Sequence, residues 1–282
     1  MPLEERKIKE IEHSDRRRSI VRAYEYRTDA SPDQSEGKYV EGEREFERHF
    51  SNMKFYSITR SSTAYRDALL LEGIRGAVAL DYCCGNGEVA VDMALRGASK
   101  VVGIDISPVA IENARGLARS AGVDAVCEFK VMDAEHTGFA DGTFDLIHEY
   151  GALHHLDLPA AYEELARILK PGGKVICTEA LRHNPLIRWY RKRTPQLRTQ
   201  WEVEHILGVQ DLERARKNFG DVRVTFFHLA VLAAVPFRKT VLFKSLSGLL
   251  ERIDSVILGN RTIGKYGWIM VFAMRQPGRR QG

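Results

Sequence analysis

The stretch 78–87, Val-Ala-Leu-Asp-Tyr-Cys-Cys-Gly-Asn-Gly, constrains the fold more than any other part of the chain. An apolar run ends in Asp81. A turn of small residues then carries Gly85 and Gly87, and Glu88-Val-Ala-Val-Asp-Met-Ala-Leu comes next with helical apolar spacing. That order reads as a buried parallel strand, a tight turn and the start of a helix. Glycine suits such a turn where a ligand must approach the backbone, because a Cβ would stand in the way. The amides of the helix N-terminus then face that ligand.

A glycine turn alone is a weak signal, and the spacing of the later apolar runs makes it specific. Val101-Val-Gly-Ile-Asp105 is a second apolar run ending in an acid, about two dozen residues after Asp81. An acid at the tip of a second strand suits a ribose diol, whose two hydroxyls it can accept. Ala125–Asp133 is a third such run, and Thr143–Tyr150 is a fourth that leads into Gly-Ala-Leu-His154-His155-Leu156. Leu169-Lys-Pro-Gly-Gly-Lys174 then turns into Val175–Glu179. Strands alternating with helices predict an α/β, doubly wound sheet with its ligand at the carboxyl ends of the strands. Asp221–His228 and Lys265–Met274 read as two further strands, and 59–72 and Asp211–Phe219 as helices.

With these residues in place, the chain resembles the class I S-adenosylmethionine (SAM) dependent methyltransferases over roughly 77–180, and more loosely to the C-terminus. The resemblance is carried by Leu80-Asp81-x-x-Cys-Gly85-x-Gly87, Gly103-Ile-Asp105-Ile-Ser, Asp133-Ala, Phe144-Asp145, Leu153-His-His-Leu156 and Leu169-Lys-Pro-Gly-Gly. One position departs from the family: Cys83 stands where Gly is usual. The dinucleotide fingerprint G-x-G-x-x-G is absent, which favours SAM over NAD. The resemblance implies a Rossmann-like seven-stranded sheet and a SAM cofactor, released as S-adenosylhomocysteine. It implies that the turn with Cys83, Gly85 and Gly87 wraps the methionine part and that Asp81 sits near its ammonium. Asp105 would hold the ribose and Ile106 pack on the adenine. Asp133 would accept from the adenine amino group beside Ala134, and Glu149 and Tyr150 would face the sulfonium.

Composition bounds the rest. The 282 residues exceed one such core, and the surplus divides the chain into an N-terminal helical extension or lid (1–72), a SAM-binding core (73–180) and a C-terminal half (181–282) with substrate-cap inserts at about 182–205 and 229–264. A net charge of +4 does not by itself indicate nucleic acid. The four cysteines, 83, 84, 127 and 177, fall in or next to predicted buried strands. They lack the paired C-x-x-C spacing of a zinc site, so no metal is expected and reduced thiols fit a cytoplasmic enzyme. No apolar stretch approaches the 18 residues of a membrane span. Partner expectations are a small-molecule substrate, no nucleic acid, no stable membrane insertion, and a homo-oligomer formed through the N-terminal helix or the 229–264 insert.

His154 and His155 come after strand four, where this fold brings protein groups near the transferred methyl. A histidine there can take a proton from a hydroxyl, because its pKa lies near neutrality. His155 is the better candidate, since it matches the histidine of other members' Glu-His or Leu-His pairs. The other histidine is expected to pack against the sheet. Tyr24, Tyr26, Phe55 and Tyr56 are candidate lid residues, and Trp189 and Tyr190, in the basic run 182–198, are candidate cap residues over the substrate. The 229–264 insert is expected to wall the substrate pocket, ahead of a role in a dimer contact or on a membrane. The cysteine pair reads as turn packing, with no nucleophile expected. The expected activity is methyl transfer to a small, largely apolar acceptor, at carbon or oxygen, as in natural-product pathways. Two alternatives stand beside it: an RNA or protein methyltransferase using 182–198, and a SAM-fold cyclase or binding module.

Overall fold

The computed structural model describes residues 5–16, 18 and 50–278. Seven strands form one sheet: β1 (Val78–Tyr82), β2 (Lys100–Asp105), β3 (Cys127–Val131), β4 (Phe144–Tyr150), β5 (Leu169–Ala180), β6 (Phe219–Phe227) and β7 (Ile269–Pro277). Their order is β3-β2-β1-β4-β5-β7-β6. The first five are parallel, and β7 runs antiparallel to both β5 and β6. The buried central strands read as unbroken apolar runs because helices cover both faces. In register, Leu80 faces Val102 on one side and Ile147 on the other, and all three are buried.

Three helices carry the same start signal, a polar cap with proline one or two positions later. Ser107 caps Pro108–Ser120, Asp157 caps Leu158–Ile168 and Asn184 caps Pro185–Arg193, each accepting a backbone N–H. The helices Arg60–Leu71 and Glu88–Leu95 fall where the sequence predicts them.

Differences from expectation cluster at the C-terminal end. The Asp211 helix stops at Ala215, because Phe219 already belongs to β6. β7 starts at Ile269, because Arg261–Gly264 forms a helical turn first. Residues 229–264 form a 3-10 segment, Ala230–Phe237, and a helix, Phe243–Ile257. Buried Asp254 ties the two together by accepting the backbone N–H groups of Leu229, Ala230 and Val231 at 3.1, 2.7 and 3.1 Å. At the other end, the helix over residues 5–16 lies across the carboxyl ends of the strands, with Arg6 and Glu10 bonded to groups after β3 and β4.

Candidate active site

Sheet order reverses direction between β1 and β4, which opens a crevice at the strand tips, the usual ligand position of an open α/β sheet. A cavity of about 600 Å³ lies there, lined by Asp81, Cys83, Gly85, Asp105, Ile106, Asp133, Ala134 and Tyr150 among others. Its size falls in the range of small-molecule sites. Buried Asp81 spans two elements: one oxygen accepts Ala90 N at 3.0 Å and the other meets His148 Nδ1 at 2.8 Å. Asp105 accepts Gly85 N at 3.0 Å and Ser107 N at 2.9 Å, so it shapes the glycine turn as well as facing the cavity. Arg18 lies 3.5 Å from the Asp105 oxygen that Gly85 N reaches, while the oxygen that Ser107 N reaches keeps a second lone pair for a ligand. Asp133 accepts Glu135 N at 3.0 Å and is paired with Lys7.

The turn explains both its glycines, in different ways. Gly85 has φ +57°, and a Cβ there would meet only the Arg18 guanidinium, at 3.4 Å. Its open side is the cavity. Gly87 has φ +83° and does not line the cavity; a Cβ there would come within 2.7 Å of Ala114 Cβ. Its need for glycine is helix packing, a correction to the expectation of ligand contact. Cys83 holds φ +60°, a conformation that favours glycine. Burial pushes the thiols of Cys83 and Cys84 well up, so both stay protonated.

Glu149 also departs from expectation. It is fully buried and lines neither cavity, and its Oε1 accepts the amides of Ala152 and Leu153 at 2.6 and 3.2 Å. Burial, then the neighbouring Glu179, raises its pKa well above the carboxylate range. It therefore shapes the loop after β4 as a neutral acid.

A second cavity of about 200 Å³ adjoins the first, and Tyr150, Gly151 and His155 line both. Its walls include Phe55, Tyr56, Ile187, Tyr190 and Trp268, with Arg191, Arg198, His154, Glu179 and Glu202 among them. The adjacent histidines differ sharply. His154 Nδ1 is 2.7 Å from Glu179, and its Nε2 is 3.9 Å from Glu202. Burial disfavours a charge on that ring, but Glu179 and then Glu202 override it and raise its pKa. With a carboxylate beside each ring nitrogen and no place on the wall of the larger cavity, His154 is poorly suited to be a base. His155 Nδ1 pairs with Glu10 at 2.8 Å, at the junction of the two cavities.

Of the candidate substrate residues, Tyr56 and Tyr190 line the second cavity. Tyr190 is 8% exposed and stacks edge-on against Phe55 at 4.9 Å. Trp189, one position earlier, is 52% exposed under the Arg193 guanidinium and lines neither cavity. Helical geometry puts consecutive side chains about 100° apart, so only one of the pair can face in. Tyr24 and Tyr26 lie outside the described residues. The 229–264 insert lines neither of these two cavities. Its Val231, Leu232 and Val235 instead pack behind the wall, with Phe55, Ile187, Tyr190 and Trp268. Among the described residues, two sets of possible metal-ligand atoms occur, His154-His155-Glu202 and Asp133-Glu135-His136. Protein cations already sit on both, Arg198 on Glu202 and Lys7 on Asp133.

Sequence reasoning missed several lining residues. Arg6, Lys7, Glu10, His13 and Arg18 line the larger cavity from the N-terminal segment, where nothing in the local pattern marks them. Glu179 did carry a signal, as an acid at a strand tip like Asp81 and Asp105.

Residues 79–173 match a family model described as a methyltransferase domain. Among curated proteins, 27-O-demethylrifamycin SV methyltransferase of Amycolatopsis mediterranei is 38% identical over 97 residues, covering 34% of this chain and 36% of that one. The chain thus spans little more than a third of the length of the first curated relatives it matches. Demethylmenaquinone methyltransferase of Lactiplantibacillus plantarum is 33% identical over 170 residues, covering 57% of this chain and 72% of the relative. Among solved structures, geranyl diphosphate C-methyltransferase of Streptomyces coelicolor, in complex with Mg2+, geranyl diphosphate and S-adenosylhomocysteine, superposes with a TM-score of 0.55 at 18% identity, covering 88% of this chain and 86% of that one. The [4+2]-cyclase SpnF has a TM-score of 0.52 at 19% identity, covering 76% and 81%. These last two establish a shared fold. Matched in sequence across both its strand-tip acids and its glycine turn, and carrying the seven-stranded sheet, the chain belongs to the class I SAM-dependent methyltransferases, enzymes whose cofactor is SAM.

Proposed function

We propose that this chain transfers a methyl group from SAM, held in the larger cavity, to a small molecule held in the smaller one. The observation that carries this reading is the position of His155, which lines both cavities at their junction. The residues of the larger cavity suit SAM. Gly85 leaves room for the methionine part, Asp105 offers acceptor lone pairs for a ribose diol, and Asp133 does the same for an exocyclic amine. SAM supplies the activated, electrophilic methyl, so the protein's tasks are alignment, exclusion of water and removal of one proton. Tyr150 and Gly151 bound the passage between the two sites.

The smaller cavity suits an acceptor with an apolar body and a polar end. Phe55, Ile187 and Trp268 supply the apolar wall. Asn52 and Thr178 also line it, and Asn52 Oδ1 and Thr178 Oγ1 have no hydrogen-bond partner among the described residues. Buried polar atoms of this kind call for a ligand group or water. A hydroxyl acceptor fits best, because His155 then has a proton to take. The test is calorimetric titration of the full chain with SAM and with S-adenosylhomocysteine, followed by mass-spectrometric screening of phenolic and alcoholic acceptors for a methyl gain. Absence of SAM binding sinks the reading. Methyl gain confined to carbon acceptors would remove the base.

A further inference from the structure

Glu10 enters the junction from the N-terminal helix, 145 positions before His155. Its Oε2 lies 2.8 Å from His155 Nδ1, and its Oε1 accepts the Thr199 hydroxyl at 2.5 Å. Burial alone would favour the protonated acid. The bond from His155 and the charge of its ring, then the Thr199 hydroxyl and the charge of His13, outweigh that and hold the carboxyl below its ordinary pKa. An ionised carboxylate can only accept, so the proton in the Glu10–His155 bond belongs to Nδ1. In the neutral ring Nε2 then keeps its lone pair, the form a base needs.

The other groups around the ring leave this assignment intact. Arg6 Nη1 donates to His155 O at 2.9 Å, on the backbone rather than the ring. The His154 ring lies 4.3 Å away and is held by Glu179 and Glu202. His13 shares the helix of Glu10 and acts on that carboxylate through its charge. Thr199 caps the Gln200–His205 helix and so anchors Glu10 to a third part of the chain. The helix itself is held over the site by Arg6 on Glu135, Lys7 on Asp133 and Asp15 on Ser107.

We propose that Glu10 is a positioning residue that fixes His155 in its Nδ1–H tautomer, so that the base is complete only when the N-terminal helix is docked. This rests on reading His155 as the base. A carboxylate orienting an imidazole in this way is the arrangement of a hydrolase triad, reached here by a helix that folds across the cofactor cleft.

The test is nitrogen NMR of the full chain with ring-labelled histidine, at a pH where His155 is neutral, its signals assigned by their loss in His155→Gln. The wild type should show a protonated Nδ1 and an unprotonated Nε2. Glu10→Ala should shift the tautomer ratio toward Nε2–H by about tenfold or more, the equilibrium worth of one charge-assisted hydrogen bond. Glu12→Ala removes the same charge from an exposed position of the same helix and should leave the ratio as in wild type. A wild-type ring already in the Nε2–H form, a ratio indifferent to Glu10→Ala, or an equal shift in Glu12→Ala would each overturn the proposal. A chain that fails to bind SAM would instead overturn the functional reading, and the NMR result would be untouched by it.

Discussion

The two cavities meet at His155 but are assembled in opposite ways. The floor of the larger one comes from consecutive strand ends, Asp81, Asp105, Asp133 and Tyr150; a helix follows β1, β2 and β4, whereas β3 leads straight to β4. The smaller one gathers Asn52–Tyr56, His154, Thr178–Ala180, Ile187–Glu202 and Trp268, segments that no local repeat relates. A site built by repetition tolerates little change at any one tip, because backbone geometry sets it. A site built by convergence depends on whichever helix faces happen to turn inward.

The largest expected effect is at the glycine turn. Gly85→Val should reduce SAM affinity beyond about a hundredfold, because a branched side chain at positive φ is strained and fills the cavity. Calorimetry beside a retained thermal transition would show this, and wild-type affinity would place the turn away from the ligand. Asp105→Ala should cost about 1.5–3 kcal/mol of SAM binding through lost charge-assisted bonds. Unchanged affinity would break the assignment of β2's tip.

Smaller effects probe the converging side. Glu149 is held protonated in the fold by burial and by Glu179. A raised carboxyl pKa contributes stability that is fully present below the unfolded value of about 4.3 and lost as pH climbs toward the folded pKa. Glutamine has no such proton to lose. Glu149→Gln should therefore gain on the wild type as pH rises from about 5 to about 8, seen as a widening difference in Tm. A difference that narrows would mean Glu149 is ionised in the fold. Trp189→Ala should be the mildest change, within about 0.5 kcal/mol in stability and without effect on SAM binding, as for an exposed site. A marked loss of SAM binding would mean that Trp189 reaches a cavity after all.

The same contrast sets how much of the molecule is legible in its sequence. Asp81 and Asp105 can be located because apolar run, acid and helix recur along the chain, and Asp133 because a further apolar run ends in an acid. Gly87 can be located, yet its reason cannot, since its close neighbour Ala114 is on another helix. Trp189 and Tyr190 cannot be told apart by composition; only the phase of their helix decides which one is buried. Glu10 is hidden altogether, because one acid in a charged helix looks like any other until its partner arrives from β4's loop.

The position of β7 has a consequence for the order in which the chain becomes complete. It is synthesised after β6, yet it lies between β5 and β6. While the ribosome is still making residues before Trp268, β5 has a bare edge and β6 has no sheet neighbour at all. Unpaired strand edges of this kind invite wrong partners. The strand-tip acids are by then long finished, whereas Trp268 and Ile269 have yet to close the smaller cavity. A nascent or truncated chain would thus carry the strand ends of the larger cavity before the walls of the smaller one were complete.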